Sequence, residues 1–313
     1  MKKLISIVSP CYNESQNVPL IVEEVKEVLK DLKNYDFEYI LVNDGSNDDT
    51  WEAISKATKN DNRIKGINLS RNFGHQLALT AGLDSASGDL IIFCDSDLQH
   101  PPQVFLQLIQ KWEEGYEVVH TRRVATQGIS FSKKLFSTLF YKIINILTKE
   151  GFVQEGMADF KLIDRRVLSE FRKFREHNRF IRGIIPWLGF KSTIVEFEAR
   201  ARIHGKPWYS FRRNLTFAKK AILSFSVQPL RYIGYLGLFV SLLSVMMIAL
   251  NLGWFIIYKT WLFSFMFFIS LINSFLIGLV ILSIGVLALY LNFIYDEVLN
   301  RPLYIISEKR NLK

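Results

Sequence analysis

The sequence predicts an α/β domain on a mostly parallel sheet, followed by an amphipathic helix and a membrane-spanning helical hairpin. Three observations predict it. Short apolar runs alternate with segments of helical spacing through the first part of the 313-residue chain. Polar clusters close several of those runs. Residues 232–295 are almost wholly apolar and carry a single charge, Lys259.

Leu4–Val8 is a short apolar run ending in Pro, as in a buried strand. Asn17–Leu32 places Val18, Ile21, Val22, Val25, Val28 and Leu29 at helical spacing. Phe37–Val42 predicts a second strand, Thr50–Thr58 a helix, Ile64–Leu69 a third strand and Gln76–Ser85 a helix. Leu90–Cys94 predicts a fourth strand, Pro102–Glu114 a helix and Glu117–His120 a fifth strand. Strands alternating with helices imply parallel strands covered on both faces. Ligands in such sheets bind beyond the carboxyl ends of the strands. Polar clusters fall there, after Val8, Val42, Leu69 and Cys94.

The uncharged runs Tyr232–Tyr258 and Thr260–Tyr295 both exceed the roughly 20 residues needed to cross a bilayer core. They meet near Lys259, so the connection is short. Arg212, Arg213, Lys219, Lys220 and Arg231 precede the pair, and Arg301, Lys309, Arg310 and Lys313 follow it. Basic flanks are retained on the cytoplasmic side, which predicts that both chain ends are cytoplasmic. Between Ser210 and Phe225, Phe211, Leu215, Ala218, Ile222 and Phe225 lie at helical spacing, with Arg212, Arg213, Lys219 and Lys220 available to the other side. That pattern predicts an interfacial helix on anionic lipid. The expected organisation is a catalytic domain in residues 1–209, a juxtamembrane helix in 210–230, two spans in 231–295 and a tail in 296–313.

Met1–Val8 reads as a first strand, because its apolar stretch is shorter than the about 7–15 residues of a leader. Cys11 and Cys94 are the only cysteines. In a cytoplasmic part they are expected as packing residues, neither a disulfide nor a zinc site. The formal net charge of +9 comes without a recognisable nucleic-acid-binding module, so nucleic acid is excluded as a partner. The first helix opens without G-x-G-x-x-G, and no G-x-x-x-x-G-K-[ST] occurs, so neither a dinucleotide-binding nor a P-loop protein is expected.

Asp95-Ser96-Asp97 follows the fourth strand. Two carboxylates one residue apart on a chain leaving a strand can both reach a hard cation that bridges diphosphate oxygens, and Gln99 can add a carbonyl oxygen. Pro101-Pro102 then starts the next helix, where proline is tolerated.

Pro10-Cys11-Tyr12-Asn13-Glu14, Val42-Asn43-Asp44-Gly45-Ser46, Ser70-Arg71-Asn72-Phe73-Gly74 and Asp95-Ser96-Asp97-Leu98-Gln99-His100-Pro101-Pro102 come in the order and spacing of family 2 glycosyltransferases. Their nucleotide-binding fold is GT-A. Ala158-Asp159-Phe160-Lys161-Leu162, Asn178-Arg179-Phe180 and Asn300-Arg301-Pro302-Leu303-Tyr304 resemble the polyprenyl-phosphate branch, which holds dolichol-phosphate mannose synthases and bactoprenol glucosyltransferases. The resemblance covers nearly the whole chain.

The resemblance implies an inverting transfer of a sugar from a nucleotide-sugar to polyprenyl phosphate, with Mg²⁺ or Mn²⁺, in the bacterial inner membrane. UDP-glucose is the first expectation for the donor; GDP-mannose, UDP-N-acetylhexosamine and UDP-4-amino-sugars stay open. Pro10, Tyr12, Glu14, Asp44 and Asp95 are implied around the nucleotide. Asp97 and Gln99, with Asp95, are implied at the metal. Asp159 is implied at the acceptor side, as base or as positioning group. Arg179, Arg200, Arg202 and Lys206 are implied at the acceptor phosphate, with Arg122 and Arg123 as weaker candidates. His75 is expected to shape a loop. A homotetramer is implied by the resemblance alone. Members commonly carry a Ser-Lys pair and an aromatic after the Arg200-x-Arg202-x-x-Gly205 stretch; this chain has Lys206-Pro207-Trp208-Tyr209.

Two rival functions follow from the same residues. A processive polysaccharide synthase would use Gln228-Pro229-Leu230-Arg231-Tyr232, but two spans make a poor polymer channel. A non-catalytic membrane scaffold would not need the acidic set Asp44, Asp95, Asp97 and Asp159.

Overall fold

The structure is a computed structural model that describes residues 2–124, 157–177, 179–200, 228–260 and 265–312. Strands β1 (Lys3–Cys11), β2 (Tyr35–Asn43), β3 (Ile64–Leu69) and β4 (Leu90–Phe93) alternate with helices α1 (Asn17–Leu29), α2 (Thr50–Asn60), α3 (His75–Ser85) and α4 (Val104–Glu113). Then come β5 (Val118–Arg123), β6 (Met157–Asp164), α5 (Arg165–Phe171), α6 (Ile181–Trp187) and β7 (Ser192–Phe197). Helices α7 (Gln228–Tyr258) and α8 (Phe265–Val298) precede the last strand, β8 (Ile306–Arg310). Arg202, Lys206 and the expected interfacial helix lie outside the described residues.

Among the described residues the strands form one sheet in the order β7-β5-β6-β4-β1-β2-β3-β8. β1 pairs in parallel with both β2 and β4, and β2 with β3. The strand order reverses between β1 and β4, which opens the crevice where ligands of such sheets bind. β6 runs antiparallel to β4 and β5. It therefore starts at the carboxyl edge of its neighbours, which carries Asp159 to the same edge as the chain leaving β4. β1 reaches beyond the expected Val8 because its pairing with β2 continues to Cys11 opposite Asn43.

Alternation places two layers of side chains on the sheet. Ile5, Ile7, Cys11, Tyr39, Leu41, Ile92 and Leu162 pack with Val18, Ile21 and Val25 of α1 and Phe105 and Leu108 of α4. On the other face a Cβ at Gly82 of α3 would meet Val8 Cγ1 at 2.3 Å, so only glycine lets that helix approach the sheet this closely.

Residues 302–312 belong with the sheet. β8 pairs antiparallel with β3. It is a polar strand, and side chains secure it: Trp51 Nε1 donates to Glu308 Oε2 at 3.0 Å, and Asn311 Nδ2 donates to the carbonyls of Thr58 and Ile64. Covering β3 in this way removes an open edge.

The helical pair is a separate unit. Tyr235–Tyr258 and Phe275–Val298 have mean hydropathies of 2.2 and 2.4 over 24 residues each. At 1.5 Å per residue each stretch covers roughly 36 Å, more than a hydrocarbon core of about 30 Å. Leu238, Phe239, Ile256 and Ile281 are exposed apolar side chains of this unit. Asn300 ends the last turn at a φ of 44°, and Pro302 follows it; asparagine tolerates the left-handed conformation and proline cannot continue a helix.

Candidate active site

Four chain segments leave the carboxyl edge of the sheet and are tied to one another. After β1, Asn13 adopts a φ of 55°, which turns the chain. Its Oδ1 accepts the Asn47 N–H at 2.9 Å and its own N–H donates to Ser46 Oγ at 3.0 Å. The Glu14 N–H donates to Thr50 Oγ1 at 2.9 Å, and Glu14 Oε2 accepts from Asn17 Nδ2. Tyr12 lies half-buried beside them. After β2, Asp44 is buried and its Oδ1 accepts the Phe73 N–H at 2.7 Å, while Oδ2 accepts the Gly74 N–H at 3.0 Å. Burial pushes the Asp44 carboxyl above its usual range despite these bonds. Gly45 sits at a φ of +61°, and a Cβ there would lie 2.3 Å from the Arg71 carbonyl carbon. Asp44 and Gly45 thus clamp the Ser70–Gly74 loop.

Beyond β4, Ser96 Oγ donates to the Pro10 carbonyl at 3.0 Å, which fixes the acidic segment against the end of β1. Leu98 is buried with a φ of 62°. That left-handed residue bends the chain so that Asp97 Oδ1 accepts the Gln99 N–H at 3.1 Å. Asp95 Oδ1 meets His75 Nε2 at 2.7 Å, and His100 Nδ1 lies 3.8 Å from Asp95 Oδ2. Burial opposes the charge on Asp95, but His75 and His100 outweigh it and hold the carboxyl well below the usual range. His75 is raised in return by Asp95. Both side chains are partly open, so theirs is a rim pair weakened by solvent.

Asp159 is the third residue of β6 and is 5% exposed. Its Oδ1 accepts Arg182 Nε at 2.7 Å, and Gln76 Nε2 lies 3.4 Å from Oδ2. Gln76 Oε1 accepts the Ile181 N–H at 2.9 Å, so one side chain ties the starts of α3 and α6 to the carboxylate. Burial opposes ionisation of Asp159; Arg182, with His75 and Lys161 adding to it, outweighs burial and keeps the group a carboxylate.

The expected residues therefore divide. Pro10, Tyr12, Glu14, Asp44, Asp95, Asp97, Gln99 and Asp159 line the carboxyl edge. Arg179 points elsewhere: it is buried, its guanidinium lies 4.6 Å from the Phe171 ring centroid, and Nη1 donates to the Phe174 carbonyl. Its place beside Asp159 is taken by Arg182, which the motif resemblance passed over. Arg182 is the second residue of a helix whose first N–H is held by Gln76, and this aims it at β6. The Arg200 N–H donates to the Gln99 carbonyl at 3.2 Å, but its guanidinium binds Glu24 and Gln103 rather than Asp159. Arg122 lies 3.7 Å from Glu196. Cys11 and Cys94 are free, buried thiols pushed up to about 12 by burial, as packing residues would be.

Among the described residues no three His, Cys, Asp or Glu side chains form a set that could hold a metal alone. Asp97, Asp95 and the Gln99 carbonyl group supply only hard oxygen donors on one short loop. That donor chemistry suits a hard divalent cation that takes further oxygen ligands from elsewhere.

An acidic pair after the central strand, at the switch point of a mostly parallel sheet, with a third carboxylate brought in by an antiparallel strand, defines a GT-A nucleotide-sugar transferase domain. Residues 6–172 match glycosyl transferase family 2, and the chain belongs to that family. It is 38% identical over 310 residues to the uncharacterized glycosyltransferase YkcC of Bacillus subtilis, covering 98% of this chain and 94% of that one. It is 36% identical over 308 residues to the SfII prophage-derived bactoprenol glucosyl transferase of Shigella flexneri, covering 97% of each. A mycobacterial protein of solved structure shares the fold, with a TM-score of 0.51 at 19% identity, over 71% of this chain and 73% of that one.

Proposed function

We propose that this chain transfers glucose from UDP-glucose to polyprenyl phosphate at the cytoplasmic membrane face, with inversion at the anomeric carbon. The observation that carries the reading is the Asp159–Arg182 pair beside Asp95 and Asp97, on a chain with two helices of spanning length. The near full-length similarity to a bactoprenol glucosyl transferase supports it. On this reading both ends of the helical pair are cytoplasmic, as the basic flanks require.

The acceptor is its own nucleophile. A phosphate monoester has a second pKa of about 6, so it arrives largely ionised and needs little help from a base. Asp159, held as a carboxylate by Arg182, therefore orients rather than deprotonates. Arg182 offers the forked donors that match phosphate oxygens. The end of β1 and the clamped Asp44 loop receive the nucleotide. Asp97, with Gln99 and Asp95, would hold the divalent cation, which supplies Lewis-acid stabilisation to the leaving diphosphate.

The test is to incubate membranes carrying the chain with undecaprenyl phosphate and a panel of labelled nucleotide-sugars, and to identify the lipid product. A glucosyl lipid with one phosphate and the β-anomer, formed from UDP-glucose and abolished by excess chelator, is the expected result. Activity that survives the chelator removes the cation from the reading. Label that enters a polymer, or polyprenyl phosphate left unconsumed, sinks the reading itself.

A further inference from the structure

Lys161 is among the largest fully buried side chains, and its Nζ has no hydrogen-bond partner among the described residues. An ammonium carries three donors and loses its hydration on burial. A methionine of similar length would fill the same space at lower cost, so the charge needs a reason.

Its position follows from register. Lys161 stands opposite Phe93 on β4 and His120 on β5, and it shares the face of β6 with Asp159. The groups that face it are Asp159 from its own strand, Arg182 from α6 and His120 from β5; His75 of α3 reaches the same carboxylate. Burial, joined by repulsion from Arg182 and opposed by Asp159, pushes Lys161 down to about 8, so it stays mainly cationic near neutrality. Burial and the Lys161 charge push His120 down to about 3 and keep that ring neutral. Asp159 thus faces two cations, Lys161 and Arg182, of which Arg182 also acts on Asp95.

We propose that Lys161 is a positioning residue for the transfer: its buried ammonium gives the Asp159 carboxylate a second counter-charge beside Arg182, so that Asp159 keeps its place when the acceptor's phosphate draws on Arg182. The inference rests on the polyprenyl-phosphate reading. Without Lys161, the entering phosphate and Asp159 would compete for one guanidinium. With it, Asp159 keeps a counter-charge from beneath while Arg182 forks toward the phosphate. Lys161 itself touches no substrate.

The experiment is a double-mutant cycle of Lys161→Met and Asp159→Asn in the membrane-inserted full chain, with UDP-glucose and undecaprenyl phosphate. Lys161→Met should lower kcat about tenfold to a hundredfold and raise KM for the lipid while leaving KM for the donor unchanged. The acid limb of its pH profile should move up, because Asp159 loses a cation that favours its charged form. The thermal midpoint should hold or rise, the opposite of what a structural lysine would give. In the Asp159→Asn background the same substitution should cost nothing further. A Lys161→Met chain that matches the parent, that shows a loss additive with Asp159→Asn, or that no longer binds nucleotide overturns the positioning role. A parent chain that leaves undecaprenyl phosphate unconsumed instead overturns the function it rests on.

Discussion

The two sides of the site hold their carboxylates by different means. On the β1–β2 side the backbone does it: Asp44 accepts the N–H groups of Phe73 and Gly74, and Asp48 accepts those of Ser15 and Thr50. On the β4–β6 side, where Asp97 accepts one backbone N–H, cationic or titratable side chains hold the other two: His75 for Asp95, Arg182 for Asp159. A backbone amide in a folded loop stays where it is. A guanidinium on a long stem can trade one anion for another or share itself between two. The first arrangement makes a rigid socket, suited to a nucleotide that must be held in one pose. The second makes an exchangeable anion site, suited to a phosphate that must enter and react.

Removing the exchangeable cation should break this comparison most sharply. Arg182→Ala is expected to lower kcat by about 10²–10³-fold, the scale of a lost electrostatic contact to reacting groups. Donor affinity should stay within about threefold, because the Asp44 clamp is untouched. Arg179→Met, three residues earlier in the chain, should change kcat by less than about fivefold and act mainly on the thermal midpoint, since its guanidinium packs on Phe171. Steady-state kinetics with titrated undecaprenyl phosphate and with titrated UDP-glucose separates the two. Equal losses of kcat in both variants would erase the distinction between the buried arginine and the one on Asp159.

The rigid side is tested by Gly45→Ala. At a φ of +61°, with a Cβ 2.3 Å from the Arg71 carbonyl carbon and 2.4 Å from the Asn72 nitrogen, backbone must shift. The left-handed conformation alone costs about 1–2 kcal/mol, and the displaced loop adds to it. The variant should unfold at lower temperature and bind nucleotide more weakly. At saturating donor its turnover should return to within a few-fold of the parent. A kcat loss that saturation does not restore would mean the loop is coupled to the acceptor side and is no separate socket.

The rigid side is also the more legible in sequence. Strands β1 to β4 are apolar runs each followed directly by turn residues, so local pattern alone marks the carboxyl edge proposed for the nucleotide. The other side resists for physical reasons. Between Met157 and Asp164 the strand's inward positions include Asp159 and Lys161, so charge stands where alternation expects Val or Ile. The motif resemblance points to Arg179, whereas the start of α6 at Ile181, held by Gln76, turns Arg182 toward β6. That is a tertiary hydrogen bond across more than a hundred residues, and no local pattern encodes it. The charge alternation Asp159, Lys161 inside an otherwise apolar stretch is the available signal. β8 escapes for the opposite reason: Ile306–Arg310 is polar and takes its strand conformation from pairing with β3 and from the bond that Trp51 makes to Glu308.

The smallest expected effect concerns how the last residues of the chain join the rigid side. Tyr304 donates its hydroxyl to Asp84 Oδ2 at 2.8 Å, and Arg175 Nη1 donates to the same oxygen at 2.7 Å. Two residues further on, β8 begins to pair with β3. Tyr304→Phe removes one of two donors to a carboxylate that Arg175 still neutralises, so Asp84 is not left uncompensated. The loss should be about 1 kcal/mol, that of a net hydrogen bond, seen as a thermal midpoint lower by roughly 2–4 °C. Affinity for donor and for lipid should both be unchanged, because the Asp84–Arg175 pair stands apart from the hydrogen bonds that hold the Asp44 loop and Asp159. A selective rise in KM for polyprenyl phosphate would show instead that the contact tying residues 302–312 to α3 also sets how the acceptor is presented, and the exchangeable side would then extend through α3 to Tyr304.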